Sequence, residues 1–331
     1  MSDFRVTCYG SRGSLPAPSR KDFSTVKYGG NTNCFLVEAG PFKLILDAGT
    51  GISVLSEKLM ADWAAAGMVG QDFILWLSHF HSDHCQGLPF CVPIFIKANR
   101  WFIHGFKPAG YEGPEHLRTV VEQMLAHQQS PPHFPIAHES LPAYRDYESH
   151  DRQFSTVRYY RYGYYDTEYG GICSDDEMRV RPCDEQDYEF TPAQNRLKLT
   201  TIPLNHPDGS VGVRIDYLDK SVCYCCDNEP LRYTNAAINK IAKDTDLIIL
   251  DGAYTEEQIK SNTQTFGHGS AQSCVEQARA CGAKLLWVTH HDPKADDVSL
   301  DKTAQYLSTQ CTSDFEAFLA AEGRCIQISY T

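Results

Sequence analysis

The sequence predicts an α/β fold in which two sheets pack face to face with helices outside. Three observations lead to it. Strand-like runs follow one another at the start of each half of the chain, strand–helix units close each half, and a dense histidine–aspartate cluster sits directly after an apolar run. The 331 residues suffice for one large core, and no fixed-period repeat or low-complexity linker divides them. A single domain spanning 1–331 is expected, with residues 144–190 as an insertion within it, either a cap or an interface element.

The first half opens with strand-like runs from Phe4 to Tyr9, Cys34 to Glu38 and Lys43 to Asp47. A loop rich in glycine, serine and proline, Gly10 to Asn33, separates the first two. After Asp47-Ala48-Gly49-Thr50-Gly51, helical spacing runs from Ile52 to Ala66, with Val54, Leu55, Leu59 and Trp63 on one face. Phe73–Leu77 then reads as a buried strand. Helical spacing returns from Glu115 to His127, and Pro131-Pro132-His133-Phe134-Pro135 forces extended backbone. From Tyr144 to Tyr188 the chain holds about half of its 18 tyrosines among charged residues, which is the basis for the insertion. Strands then fall at Leu197–Ile202, Val211–Tyr217 and Ser221–Cys226, followed by a helix near Asn235–Ala242. A strand Leu247–Leu250, a helix Ala271–Cys281, a strand Lys284–Thr289, a helix Leu300–Ala321 and a final strand Cys325–Ser329 complete the pattern.

Composition narrows the setting. A net charge of −12 argues against sequence-independent binding to long nucleic acid, which needs a broad basic surface. No apolar run reaches the roughly 20 residues that a membrane span requires. Met1-Ser2-Asp3-Phe4-Arg5 lacks the pattern of a secretion signal. The 13 cysteines form no disulfide-like framework, so reduced thiols and a cytoplasmic location are expected.

The chemistry concentrates in Ser78-His79-Phe80-His81-Ser82-Asp83-His84. Imidazoles and a carboxylate at that density suit a borderline divalent metal such as zinc. Four ligands so crowded do not all converge on one ion, so the spacing points to two. Further ligands are expected at other strand ends, where layered α/β folds build their sites. His206 follows Leu204-Asn205, Asp227 ends Val222–Cys226, and His290 ends Leu285–Thr289. Cys223, Cys225 and Cys226 read as buried strand cysteines rather than thiolate ligands. Most of His104, His116, His127, His138 and His150 read as ordinary surface histidines.

HFHSDH resembles the HxHxDH signature of the metallo-β-lactamase superfamily. YGGNTN at 28–33, LILDAGTG at 44–51, LNHPDGSVGVRI at 204–215, LDGAYT at 250–255, FGHGS at 266–270 and THHDP at 289–293 resemble one branch of it. That branch contains RNase Z, the carbon–phosphorus-pathway phosphodiesterases and the cyclic-nucleotide phosphodiesterases, with the anti-Pycsar enzymes nearby. The resemblance spans nearly the whole chain outside the tyrosine-rich stretch. It implies a four-layer αββα metallo-β-lactamase sandwich and two divalent ions, zinc or else manganese. His79, His81 and His206 would hold one ion, Asp83, His84 and His290 the other, and Asp227 would bridge them. His290 is preferred over His291 because it follows the strand directly. Asp47 would orient a metal-bound histidine, with a helix N-cap as its plainer role. His268 and Asp83 are the implied catalytic residues: a metal-bridging hydroxide attacks phosphorus and His268 protonates the leaving group. His133, Phe134 and Tyr254 are possible substrate contacts.

The leading expectation is thus a phosphodiesterase for a small anionic phosphodiester, a cyclic mononucleotide first among them, in a homodimer. An RNase Z-like nuclease and an ester or lactone hydrolase are the enzymatic alternatives, and a metal-stabilised binding protein is the non-enzymatic one. Asp208 departs from the branch pattern and suggests an extra carboxylate near the metals.

Overall fold

In a computed structural model of the chain, the described residues are 4–108, 119–150, 154–164, 178–230, 234–263 and 266–328. The expected sandwich is present. One sheet takes the order β15-β1-β2-β3-β4-β5-β6 and the other β14-β13-β12-β11-β10-β9-β7-β8. The first is built from β1 (Phe4–Gly10), β2 (Cys34–Ala39), β3 (Phe42–Leu46), β4 (Asp72–Leu77), β5 (Arg100–Phe106) and β6 (Tyr144–His150), closed by β15 (Cys325–Gln327). The second holds β7 (Val157–Tyr164), β8 (Met178–Cys183), β9 (Arg196–Leu204), β10 (Ser210–Tyr217), β11 (Lys220–Cys225), β12 (Leu247–Asp251), β13 (Leu285–Thr289) and β14 (Glu316–Leu319). The tyrosine-rich stretch therefore supplies strands to both sheets, while its residues 151–153 and 165–177 lie outside the described set.

Each sheet is apolar on both faces, which is why several strands lack alternation. Phe35, Trp76 and Phe102 from one sheet meet Leu199, Val213, Tyr224 and Trp287 from the other in the central core. Helices α1 (Gly51–Ala65) and α3 (Val120–Gln128) cover the outer face of the first sheet, packing on Leu36, Ile45, Phe73 and Leu75. Helices α5 (Ala236–Ile241), α7 (Ala271–Ala280) and α8 (Asp297–Thr309) cover the second over Cys223, Cys225, Ile248 and Leu286. The three cysteines of β11 and its end are fully buried, as their apolar run implied.

Several expectations are corrected. The helix expected from Leu300 to Ala321 starts earlier, stops at Thr309, and gives way to β14, which pairs parallel with β13. Phe315, Ala317 and Leu319 are buried at every second position there, a strand period. β5 went unrecognised because all seven of its residues are buried, leaving no alternation to read. On α1, Leu55 and Leu59 face the core, but Val54 is exposed. His104, His138 and His150 are buried, not superficial. His116 lies outside the described residues.

Candidate metal centre

The donors gather at one end of the sandwich, each just past a strand. Asp47, Asp227 and His290 directly follow β3, β11 or its terminal cysteine, and β13, all with left-handed backbone (φ 58°, 58° and 62°). L-residues rarely adopt that conformation, and its cost of about 1–3 kcal/mol each is tolerated where the surroundings over-determine it. Here it turns the side chain off the strand and into the cluster. The turn after β4 delivers the remainder: His79 and His81 precede the single-turn helix α2 (Ser82–Cys85), which carries Asp83 and His84.

Asp227 divides the cluster in two. Its Oδ2 lies 3.5 Å from His79 Nε2 and 3.5 Å from His206 Nε2. Its Oδ1 lies 3.3 Å from His84 Nε2 and 3.1 Å from His290 Nε2. Asp83 Oδ2 completes the second group at 3.2 Å from both His84 and His290. His81 Nδ1 stands 3.2 Å from His206 Nε2 in the first. Of the adjacent pair, His290 turns inward while His291 donates from Nε2 to Ala320 O on the far side.

The outer nitrogens fix the tautomers. Asp47 Oδ2 accepts from His84 Nδ1 at 2.6 Å, Gly267 O accepts from His206 Nδ1 at 3.0 Å, and Ser78 Oγ lies 3.1 Å from His79 Nδ1. Ser78 Oγ itself donates to Asp47, so it accepts from His79. In the neutral form all three rings therefore present an Nε2 lone pair inward, the form in which imidazole binds a metal. His79 Nε2 is buried with no hydrogen bond to any described residue. Imidazole Nε2 atoms and carboxylate oxygens only 3.1–3.5 Å apart form a cradle in which cations can replace the protons these groups otherwise share. The residues fit two divalent ions, one in each group, with Asp227 shared. Asp83 and Asp227 are both held well below the carboxylate range: burial opposes this, but the facing His84 and His290 rings outweigh it.

Asp47 does more than the sequence implied. It also accepts from Ser78 N–H and from the Tyr224 hydroxyl at 2.6 Å, while the cap position of α1 falls to Thr50. The glycine-rich loop after β1 is bound to the same site: Ser14 N–H donates to Asp83 Oδ2 at 2.7 Å, and Gly13 lies against the His290 ring.

His268 sits at the edge of this cluster, stacked on His290 at 4.6 Å between ring centroids. Its Nδ1 bonds to Asp251 Oδ2 at 2.7 Å, leaving Nε2 for another partner. Burial disfavours the imidazolium, but Asp251, with Asp227 and Asp83 behind it, prevails and pushes the pKa up to about 9. Asp251 is the residue that sequence reasoning passed over, although it ends β12 just as the other donors end their strands. Tyr254 lies edge-on to His268 at 5.7 Å. Phe134 instead meets Phe90 at 5.7 Å, and His133 is exposed. Asp208 is exposed at the turn after His206 and lies outside the donor groups.

Comparison with known proteins points the same way. Residues 155–291 match the model of a beta-lactamase superfamily domain. Ribonuclease Z of Agathobacter rectalis is 22% identical over 98% of this chain and 98% of its own length. The metallo-beta-lactamase fold protein YhfI of Bacillus subtilis superposes with TM-score 0.60 at 16% identity, covering 99% of this chain and 100% of that one. A diphosphatase from the PhnP family superposes with TM-score 0.57 at 14% identity, over 98% and 97%. Fold and donor set together define a metal-dependent hydrolase. The chain has the metallo-β-lactamase fold, matches the beta-lactamase superfamily domain over residues 155–291, and is similar in sequence to ribonuclease Z over nearly its full length.

Proposed function

We propose that the protein is a dinuclear phosphodiesterase for a small phosphodiester, with a cyclic mononucleotide as the favoured substrate. The observation that carries this reading is the Asp251–His268 pair, 2.7 Å apart and set beside the two donor groups. Hydrolysis of a phosphodiester expels an alkoxide that needs a proton, and a positioned imidazole is the usual source. His79, His81 and His206 would hold one ion, Asp83, His84 and His290 the other, with Asp227 between them. Ions bound there would polarise phosphoryl oxygens and lower the pKa of water.

The chain's own residues do the rest. Asp251 accepts from His268 Nδ1–H, which fixes the tautomer and leaves Nε2 to carry and release the proton. Stacking on His290 holds the imidazole plane, so Nε2 meets the leaving oxygen without reorganising. Tyr254, with its ring against His268 and half-buried, offers a face for a nucleobase. The net charge of −12 favours a small ligand over a long polyanion.

Likeness to ribonuclease Z over nearly the full length supports a second reading, cleavage of precursor tRNA. A single panel separates them: 3′,5′- and 2′,3′-cyclic mononucleotides, bis-p-nitrophenyl phosphate, precursor tRNA and a lactone, assayed with metal-analysed protein. Turnover of cyclic nucleotides is expected. Cleavage of precursor tRNA alone would overturn the first reading in favour of the second, and metal without turnover would overturn both.

A further inference from the structure

A second convergence of donors lies between the sheets, away from the dinuclear centre. His104 on β5 is paired in register with Glu148 on β6, and His150 follows two residues later on the same face. His104 Nδ1 lies 2.9 Å from His150 Nε2 and 3.6 Å from Glu148 Oε2. The three donor atoms all fall within 4.8 Å of one another. Both rings are buried, whereas the Glu148 side chain keeps 31% of its surface on the edge strand and gives the cluster an opening to solvent.

Every outer polar atom of the cluster is already held. His104 Nε2 meets the Tyr160 hydroxyl at 2.5 Å, His150 Nδ1 meets Thr156 Oγ1 at 3.2 Å, and the Arg158 guanidinium binds Glu148 Oε1. Trp76 stacks on both rings, with centroids 5.6 and 5.0 Å away. Hydroxyl partners on the outer nitrogens free the inner nitrogens to act as lone-pair donors, as around metal-bound histidines.

The plainer account is a metal-free polar core in which His104 Nδ1–H donates to His150 Nε2. That account pairs Glu148 Oε1 with Arg158 but gives its other carboxylate oxygen no role. Its Oε2 points at His104 from beyond hydrogen-bond range and has no hydrogen bond with any described residue. A zinc ion about 2.1 Å from each donor wants the donors about 3.4 Å apart. The observed 2.9 and 3.6 Å bracket that separation for two of the pairs, and the Glu148 and His150 donors lie within 4.8 Å, so a bound ion would replace the shared proton, ease the two nitrogens apart and draw the carboxylate inward.

We propose that His104, Glu148 and His150 form a third metal site, taking one zinc-like divalent ion through two imidazoles and a carboxylate. Zinc accepts that ligand set with a fourth position left for water. The ion ties β5 and β6 together beneath Trp76, three residues before His79, and its role is stability rather than turnover.

Metal counting on zinc-saturated, buffer-exchanged protein tests this. Wild type should hold three equivalents, Glu148→Gln and His150→Gln two, and Asp227→Ala should retain one. Cobalt loading of Asp227→Ala should show absorption bands that disappear in the Asp227→Ala/Glu148→Gln double variant. Glu148→Gln alters a partly exposed, isosteric position, so it decides the matter even where His150→Gln fails to fold; its turnover should match wild type. A wild-type count of no more than two, or a count indifferent to Glu148→Gln, would overturn the proposal.

Discussion

Gly13→Ala tests how tightly the glycine-rich loop controls the ion that Asp83, His84 and His290 would hold. An added Cβ would stand 2.2 Å from His290 Cε1 and Nδ1 and 2.8 Å from Cγ. An ordinary contact lies near 3.5 Å, so ring or loop must yield by about 1.3 Å. Neither has room. The loop is pinned by Ser14 N–H on Asp83, by Gly13 N–H on His291 O, and by Arg12 on Gly29 O, Asp292 O and Ala295 O. His290 is buried with Asp251 Oδ1 3.8 Å behind it. Overpacking of this kind costs about 1–3 kcal/mol. A metal site tolerates displacements of only about 0.5 Å. One equivalent of metal should therefore bind about 10- to 100-fold more weakly, the range seen when a ligand's support is disturbed. Competition against a chromophoric chelator, with metal counted by mass spectrometry, measures it. Gly163→Ala is the control, since nothing lies within 4 Å of its added Cβ. Wild-type metal affinity in Gly13→Ala would refute the claim that this loop buttresses the centre.

Other expectations follow from the same geometry. Gly267→Ala should weaken the opposite group, because its Cβ falls 2.2 Å from His206 Nδ1 and its φ is +84°; chelator competition reads this too. His268→Ala and Asp251→Asn should keep their metal yet slow turnover by roughly 100-fold or more, and unchanged steady-state rates would remove the pair from the mechanism. Asp47→Ala strands Tyr224, His84 and Ser78 in the core and should cost about 3–5 kcal/mol, read by denaturant unfolding of metal-free protein. His138 is buried and lies near Arg145, which together push its pKa down to about 3. The unfolded chain, with a histidine pKa near 6.5, takes up that proton first, so stability should fall as pH drops from about 6.5 toward 3. The slope is up to about 1.4 kcal/mol per pH unit, and His138→Gln should flatten it in unfolding curves between pH 7 and 4.5.

Much of the centre is local in the sequence. His79, His81, Asp83 and His84 are crowded because one turn after one strand carries them all, and an apolar run followed by polar donors is visible without a fold. The same signal, a donor at the end of an apolar run, marks His206, Asp227 and His290. Strand and helix periods likewise disclose most elements wherever one face is wet. They fail at β5, buried throughout, and at β14, where a short strand follows a helix closely.

Tertiary structure alone decided the rest. Whether His290 or His291 faces the donor cluster depends on the left-handed turn after β13, which no period encodes. Asp251 meets His268 across 17 residues, Gly13 meets His290 across the whole chain, and Tyr224 reaches Asp47 from the opposite sheet. His104 and His150 look like surface residues until two strands and Trp76 enclose them. The sequence by itself determined which side chains are available at strand ends, because that follows from short-range hydrophobic pattern. Only the packing of one sheet on the other determined which of them touch, because those contacts join residues whose separation along the chain carries no periodic signal.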